Sequence, residues 1–205
     1  MKINKLLILS LIFLSSFLMA TEEPEFFLIL KDENFEIRQY NNKILAQVTV
    51  LGDFNDASSK GFKVLADYIF GNNLSLDGNT KINMTAPVVL EPISEVIEMT
   101  APVLAEGKNK KWVVSFVMPK EYSLDTLPKP NNKDIRISSL PPQKYAVIVF
   151  SGLVRESNYD EQINLLKSFV ANRNLVTVGK VQIARYNPPW TLPFFRRNEL
   201  MIRIN

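Results

Sequence analysis

EIRQYNNKILAQVTVLG at residues 36–52 and RISSLPPQKYAVIVFSG at residues 136–152 share one pattern, and this pair of segments decides the fold. Each segment has a short β-rich run, a turn, a longer β-rich run and a closing glycine, Gly52 or Gly152. β-branched and aromatic residues bounded by turn residues indicate strands. Because the two segments lie one hundred residues apart, we predict an internal duplication.

Both segments are followed by apolar residues at helical spacing, which predicts one helix in each half. The first helix is expected at about 57–71, with Gly71 as its stop signal. Its apolar face contains Phe62, Leu65, Ala66, Ile69 and Phe70, and that of the second helix contains Ile163, Leu166, Phe169 and Val170.

Strand patterns return after each helix, at residues 81–88 and 182–189, and a last strand closes each half at 112–118 and 199–204. The predicted unit is therefore β-β-α-β-β, present at about 35–118 and 135–205 as two pseudo-repeats. One unit cannot bury its sheet face and its helix alone, so the halves are expected to share one core. This predicts a single α+β domain over residues 21–205, a strongly bent antiparallel sheet or distorted barrel carrying two helices. The Pro- and Lys-rich segment 119–134 is the expected linker.

A shorter repeat, MTAPV, occurs at residues 84–88 and again at 99–103. Proline within a strand belongs at an edge or a bulge, so these segments should mark places where strand pairing breaks. The pattern is compatible with two strand ends shaped by packing and also with a pair of ligand-facing segments.

The first twenty residues have the layout of a secretory signal peptide. Lys2 and Lys5 precede an apolar run at 6–19, and Ala20 stands before a polar stretch. We predict cleavage after residue 20 and a periplasmic or secreted protein with no stable membrane span; an uncleaved anchor is the alternative. Removal of the leader leaves 22 bases and 21 acids, a net charge of +1. That balance predicts no nucleic-acid partner.

The sequence contains no histidine and no cysteine. The usual zinc, copper and iron–sulfur sites therefore cannot form. Catalysis by Ser-His-Asp or Cys-His groups is excluded as well. Neither imidazole nor thiolate can therefore take part in the protein's function, and we assign no metal-ligating side chain.

Several strings together resemble the SOUL haem-binding family: FEIRQY at 35–40, the helix signature at 61–72, KINMTAPV at 81–88, and residues 186–189 leading to RRNE at 196–199. The resemblance implies a monomeric, duplicated, barrel-like α+β fold that binds tetrapyrroles, chiefly haem, non-covalently and without a known reaction. It also implies a cleft between the first helix and the loop at 186–198. Gln39 stands where some family members carry a histidine proposed as an iron ligand, so the axial ligand stays unassigned.

Haem needs an apolar surface and cations for its two propionates, and guanidinium pairs well with carboxylate. The candidate binding residues on the helix and the loop are Lys60, Lys63, Val64, Tyr68, Tyr186, Trp190, Phe194, Phe195, Arg196 and Arg197. The helix residues could instead only flank the core, and the loop residues could form a hydrophobic plug over the barrel mouth with a solvated basic edge.

The leading hypothesis is an exported tetrapyrrole-binding protein used for carriage, buffering or scavenging. The alternatives are a binder of another lipophilic or flat small molecule on the same fold, and a hydrolase that uses Glu36, Glu98 or Glu199. No two acids are paired at catalytic spacing in the sequence, which disfavours the hydrolase.

Overall fold

A computed structural model describes residues 21–75, 78–93, 110–153 and 156–205. Its helices are α1, Phe54–Ile69, and α2, Glu156–Asn172, with a short 3-10 helix at Pro193–Phe195. The strands are β1 Phe26–Asp32, β2 Phe35–Tyr40, β3 Lys43–Leu51, β4 Asn73–Leu74, β5 Val88–Ile93, β6 Lys111–Val117, β7 Lys129–Pro130, β8 Arg136–Leu140, β9 Gln143–Ser151, β10 Thr177–Arg185 and β11 Arg197–Ile204.

Nine of these strands form one antiparallel sheet in the order β1-β2-β9-β11-β10-β5-β6-β3-β8, and β4 pairs with β7 separately. The fold class is therefore α+β, as predicted. Within the described ranges β1 and β8 are the two edges and do not pair with each other. The sheet is open, so the predicted barrel is wrong. The bent-sheet alternative agrees with an open antiparallel sheet carrying two helices.

The order β-β-α-β-β occurs in both halves, as β2-β3-α1-β5-β6 and β8-β9-α2-β10-β11. The pair β5–β10 joins the halves at the centre, where Ile183 lies opposite Leu90. Two further pairs also cross between the halves, because β2 lies beside β9 and β3 lies beside β8. Common descent of the halves stays a prediction.

Helix α1 begins three residues before the predicted start, because Asp53 caps it by accepting a 2.8 Å hydrogen bond from the backbone N–H of Asp56. Its buried face packs on β3 and β6. Gly61 permits that contact, since a Cβ at this position would lie 2.3 Å from Val114 Cγ2. Phe62 and Phe70, predicted on the apolar face, are both exposed.

The core lies between the helices and one face of the sheet, with Leu65, Leu166, Ile183 and Leu200 fully buried in it. A smaller cluster covers the other face around Tyr40, Tyr145, Val147 and Met201. Neither helix in the described ranges is long and apolar enough to cross a membrane.

The strands differ from the predicted ones in several places. Strand β1 was not predicted at all, and only residue 88 of the predicted strand 81–88 lies in β5. The rest of that segment pairs at a single point, a parallel bridge between Glu22 and Thr85. The predicted strand at 182–189 ends at Arg185. The leader, the second MTAPV segment and Glu98 lie outside the described residues.

Candidate functional site

Residues 186–196, here called the C-terminal loop, join β10 to β11 and display three large rings to solvent. Trp190 is 82% exposed, Phe194 64% and Phe195 68%. The rings of Phe194 and Phe195 touch, with centroids 4.5 Å apart. Three exposed rings within six residues form an apolar surface of the kind that marks interaction sites.

Hydrogen bonds to backbone carbonyls give the C-terminal loop a defined shape. Arg196 Nε donates to the carbonyl of Thr191 at 2.7 Å, and its Nη2 donates to that of Pro189 at 2.5 Å. The backbone N–H of Gly152 donates to the carbonyl of Pro193 at 3.0 Å, which ties the loop to the end of β9. The loop is thus folded around the guanidinium of Arg196, and that cation lies beside the exposed rings.

Arg185, at the end of β10, is a second cation at this end of the sheet and was not among the predicted site residues. It follows the core residue Ile183 by two positions, so its side chain leaves the sheet on the helix face. There Arg185 Nη1 donates to Ser58 Oγ of α1 at 3.3 Å. Burial, and then the like charge of Arg196, lower the pKa of Arg185. In the part of the chain that the structure describes, no carboxylate forms an ion pair with either guanidinium.

Arg185 lies opposite Asn198 in the β10–β11 pair, so Arg197, the neighbour of Asn198, points to the opposite face of the sheet. Its Nη2 and Nε donate to the buried carboxylate of Glu199 at 2.7 and 3.0 Å. Its Nη1 donates to Glu23 at 3.0 Å, and its guanidinium stacks on the ring of Tyr186 at 3.9 Å. These contacts do not bring Arg196 and Arg197 together as the predicted pair: Arg196 is held by the loop carbonyls of Thr191 and Pro189, whereas Arg197 begins β11 and already has two carboxylate partners.

A buried charge network extends from Arg197 across β11, β9 and β2. Arg38 Nη1 and Nη2 donate to the two oxygens of Glu199 at 2.8 and 3.1 Å, and Arg38 Nε donates to Glu36 at 2.7 Å. The hydroxyl of Tyr186 donates to Glu199 at 2.8 Å. Burial and the charge of Glu199 raise the pKa of Tyr186, so its hydroxyl stays protonated. Each cation of this network has a carboxylate partner, as a buried charge requires.

The four candidate residues on α1 are not brought to the loop together. Tyr68 is only 1% exposed, and its hydroxyl donates to the carbonyl of Pro128 at 2.6 Å. Its predicted position on the outer face is therefore wrong, because residues 127–130 cover that part of the helix. Val64 is half-buried against the core, and Lys63 is exposed. Lys60 lies 3.8 Å from Asp56 of the same helix.

A separate cleft of about 450 Å³ opens beside residues 22–25 and the segment 117–124. Ile44, Val117 and Met118 contribute apolar surface, and three glutamates line the entrance. Lys43 also lines it, with its ammonium 4.6 Å from the ring centre of Tyr40. None of the ten predicted site residues lines this cleft. Sequence reasoning missed it, since its walls come from five separate segments.

A protein-family model described as SOUL heme-binding protein matches residues 21–203. Comparison with curated proteins gives no match. Among solved structures, the C-terminal domain of EcmrR is similar with a TM-score of 0.60 and 11% identity, over 83% of this chain and 96% of that one. An uncharacterized conserved protein from Listeria innocua has a TM-score of 0.59 and 12% identity, over 85% and 93% of the two chains.

A hydrolase from Listeria innocua is also similar, with a TM-score of 0.57 and 11% identity, over 86% of this chain and 94% of that one. Identities this low show a shared fold and nothing about ligands or reactions.

Proposed function

The chain belongs to the SOUL haem-binding family, and on that premise we propose that it is an exported tetrapyrrole-binding protein that holds haem without a histidine ligand. Family membership supports tetrapyrroles as the ligand class. The composition of residues 1–20 supports export to the periplasm or the medium. The proposed role is carriage, buffering or scavenging by a monomer, with no reaction of the protein's own.

The observation that carries the proposal is the exposed ring surface of the C-terminal loop beside Arg185 and Arg196, which have no carboxylate partner among the residues that the structure describes. A haem needs an apolar surface for the macrocycle and positive charge for its propionates. Trp190, Phe194 and Phe195 supply the first, and Arg196 supplies charge next to them. These residue types fit the group. Bound haem would bring its own redox chemistry, and the chain's part is to hold the ring and its acids.

The magnitudes allow binding without an axial ligand. Burial of about 300 Å² of apolar ligand surface at ~25 cal/mol/Å² contributes roughly 7 kcal/mol before the costs of association. Charge-assisted hydrogen bonds to propionates add about 1.5–3 kcal/mol each. After those costs we expect a Kd in the micromolar range or slightly below.

Titration of the mature chain with haem tests the proposal. We expect a shifted Soret band and quenching of tryptophan fluorescence, with Trp190 exposed on the loop itself. Phe194→Ala should weaken binding about tenfold, if roughly 60 Å² of ring contact is lost. Phe27→Ala is the matched control, since Phe27 is equally exposed, at 67%, on edge strand β1. Equal effects of the two Phe variants, or no Soret shift at micromolar haem, would reject the loop as a haem site.

A second candidate function, binding of another lipophilic small molecule, is favoured by the 450 Å³ cleft. That volume lies in the range of drug-sized ligand sites. Glu22, Glu23 and Glu25 stand at its entrance against Lys43 and Lys120, so neutral or cationic ligands are favoured over dianions.

A thermal-shift screen separates the two functions. Stabilisation by lipophilic cations but not by porphyrins would select the cleft. The effect should disappear in Leu124→Arg, since Leu124 lines the cleft and is exposed.

A further inference from the structure

We infer that Arg185, with Arg196 and Ser58, forms a clamp for an anionic group of the ligand, a carboxylate or chemically similar oxyanion. This inference rests on the proposed function and identifies the residue that receives a tetrapyrrole's acid. Arg185 takes the place that the sequence assigned to Arg197.

The first argument is the direction of the side chains. Arg185 leaves β10 on the face that carries the helices and reaches Ser58 of α1. This bond places the guanidinium of Arg185 between the end of β10 and α1. Arg197 points to the other face and is held by Glu199 and Glu23.

The second argument is charge. A half-buried guanidinium normally has an acidic partner, because burial without one is costly. Arg185 is half-buried, yet its hydrogen bond goes to a neutral hydroxyl, and the nearby charge of Arg196 is repulsive.

The acids of α1 nearest to Ser58 in sequence are occupied elsewhere. Asp53 caps the helix, and Asp56 lies 3.8 Å from Lys60. Arg185 and Arg196 are thus two neighbouring cations without an acidic partner among the described residues. Such a pair is suited to bind an oxyanion that belongs to a ligand.

The third argument is geometry at Arg196. Its Nε and Nη2 are fixed on the loop carbonyls of Thr191 and Pro189, which hold the guanidinium in one orientation. Its Nη1 forms no hydrogen bond within the described ranges. A guanidinium held in place loses little entropy when it binds an anion. Arg196 therefore supplies a positioned donor, and its charge adds to that of Arg185.

The test compares metal-free protoporphyrin IX with its dimethyl ester, which has the same ring and no acids. Arg185→Gln should weaken binding of the diacid about tenfold or more, the effect of losing one charge-assisted hydrogen bond. Binding of the diester should be unchanged, which also shows that the variant is folded. Arg173→Gln is the matched control, because it removes one positive charge from an exposed ion pair with Asp32 at the end of α2.

The outcomes separate the clamp from the wider proposal. Suppose that the wild-type protein binds porphyrin. The clamp is then wrong if Arg185→Gln weakens binding of the diacid and of the diester equally, or if it weakens binding of neither. If wild-type protein binds neither porphyrin, tetrapyrrole binding is wrong, and inorganic pyrophosphate then tests the clamp alone. A rise in melting temperature with pyrophosphate that is lost in Arg185→Gln but kept in Arg173→Gln supports the clamp; no rise overturns it.

Discussion

Replacing Glu199 with glutamine should destabilise the protein more than any other single exchange of an acid for its amide among the described residues. The side chain of Glu199 is fully buried and accepts five hydrogen bonds. Four come from the guanidiniums of Arg38 and Arg197, and one comes from Tyr186. Glutamine keeps the shape of the side chain but removes the negative charge.

The size of this loss in stability follows from the hydrogen bonds that the glutamine amide cannot accept. Its oxygen can replace only one carboxylate oxygen, and its NH2 group then faces a guanidinium N–H, which is also a donor. Among the described residues, Arg38, almost fully buried, keeps only Glu36 as its acid. Breaking a buried ion pair from one side costs about 3–5 kcal/mol. Because Glu36 and Glu23 remain, we expect a loss near the lower end, about 3 kcal/mol.

Urea unfolding followed by the fluorescence of the buried Trp112 measures this loss at pH 7. Glu161→Gln, an exposed acid on α2, is the control and should change stability by less than about 0.5 kcal/mol. A double variant, Arg38→Met with Glu199→Leu, should recover much of the stability, since apolar pairs often replace buried ion pairs without loss. The reasoning is refuted if Glu199→Gln unfolds at the same urea concentration as the control.

Three further predictions concern packing and pH. Gly61→Ala should lower the unfolding free energy by about 1–3 kcal/mol, because the new methyl would collide with Val114. Adding Val114→Ala should restore part of this free energy, and a stabilised Gly61→Ala variant would contradict the contact. Burial raises the pKa of Glu36, but Arg38 and a second cation lower it further, so its net pKa lies below the usual value. The stability it contributes is therefore complete above about pH 4.3 and is lost as pH falls through its folded pKa. Urea midpoints of wild type and Glu36→Gln should converge in acid, and a constant difference down to pH 2 would disprove this. Burial lowers the pKa of Lys43 to about 8, so stability should rise between about pH 8 and pH 10.4 as the folded state loses its proton first. An NMR titration of labelled lysines should show one amine with that midpoint, and its signal should be absent in Lys43→Met. A midpoint above 10 would show that the contact with Tyr40 outweighs the effect of burial on the pKa of Lys43.

Elements with a local signature could be predicted from the sequence. The apolar spacing in α1 and α2 needs only neighbours three or four residues away, and β3 and β9 have the expected β-rich runs. Strand β1 was missed because its side chains are mostly exposed on both faces, so the segment has no alternation of apolar and polar residues. Tyr68 was misplaced because a distant segment covers the outer side of its helix.

The residues of the candidate site likewise divide into those that the sequence indicated and those that it did not reveal. The exposed rings of the C-terminal loop lie within six residues, so the sequence indicated them directly. The partnership of Arg185 with Ser58 spans 127 residues, and that of Arg38 with Glu199 spans 161. Such pairs depend on strand register, which a single sequence does not reveal. Adjacency in the sequence was also misleading, since Arg196 bonds to carbonyls of the C-terminal loop, whereas its neighbour Arg197 begins β11 and pairs with Glu199 and Glu23.

The crossing of β2 to β9 and of β8 to β3 means that each half of the chain lends its opening strand to the other. Neither half can complete its own hydrogen-bonded ladder during synthesis, so the amino-terminal half must wait, with unpaired strand edges, until β8 and β9 have emerged. Folding dominated by such distant partners is slow and exposed to aggregation. A chain cut in the segment between β7 and β8 should accordingly yield two fragments that are disordered apart and regain structure when mixed.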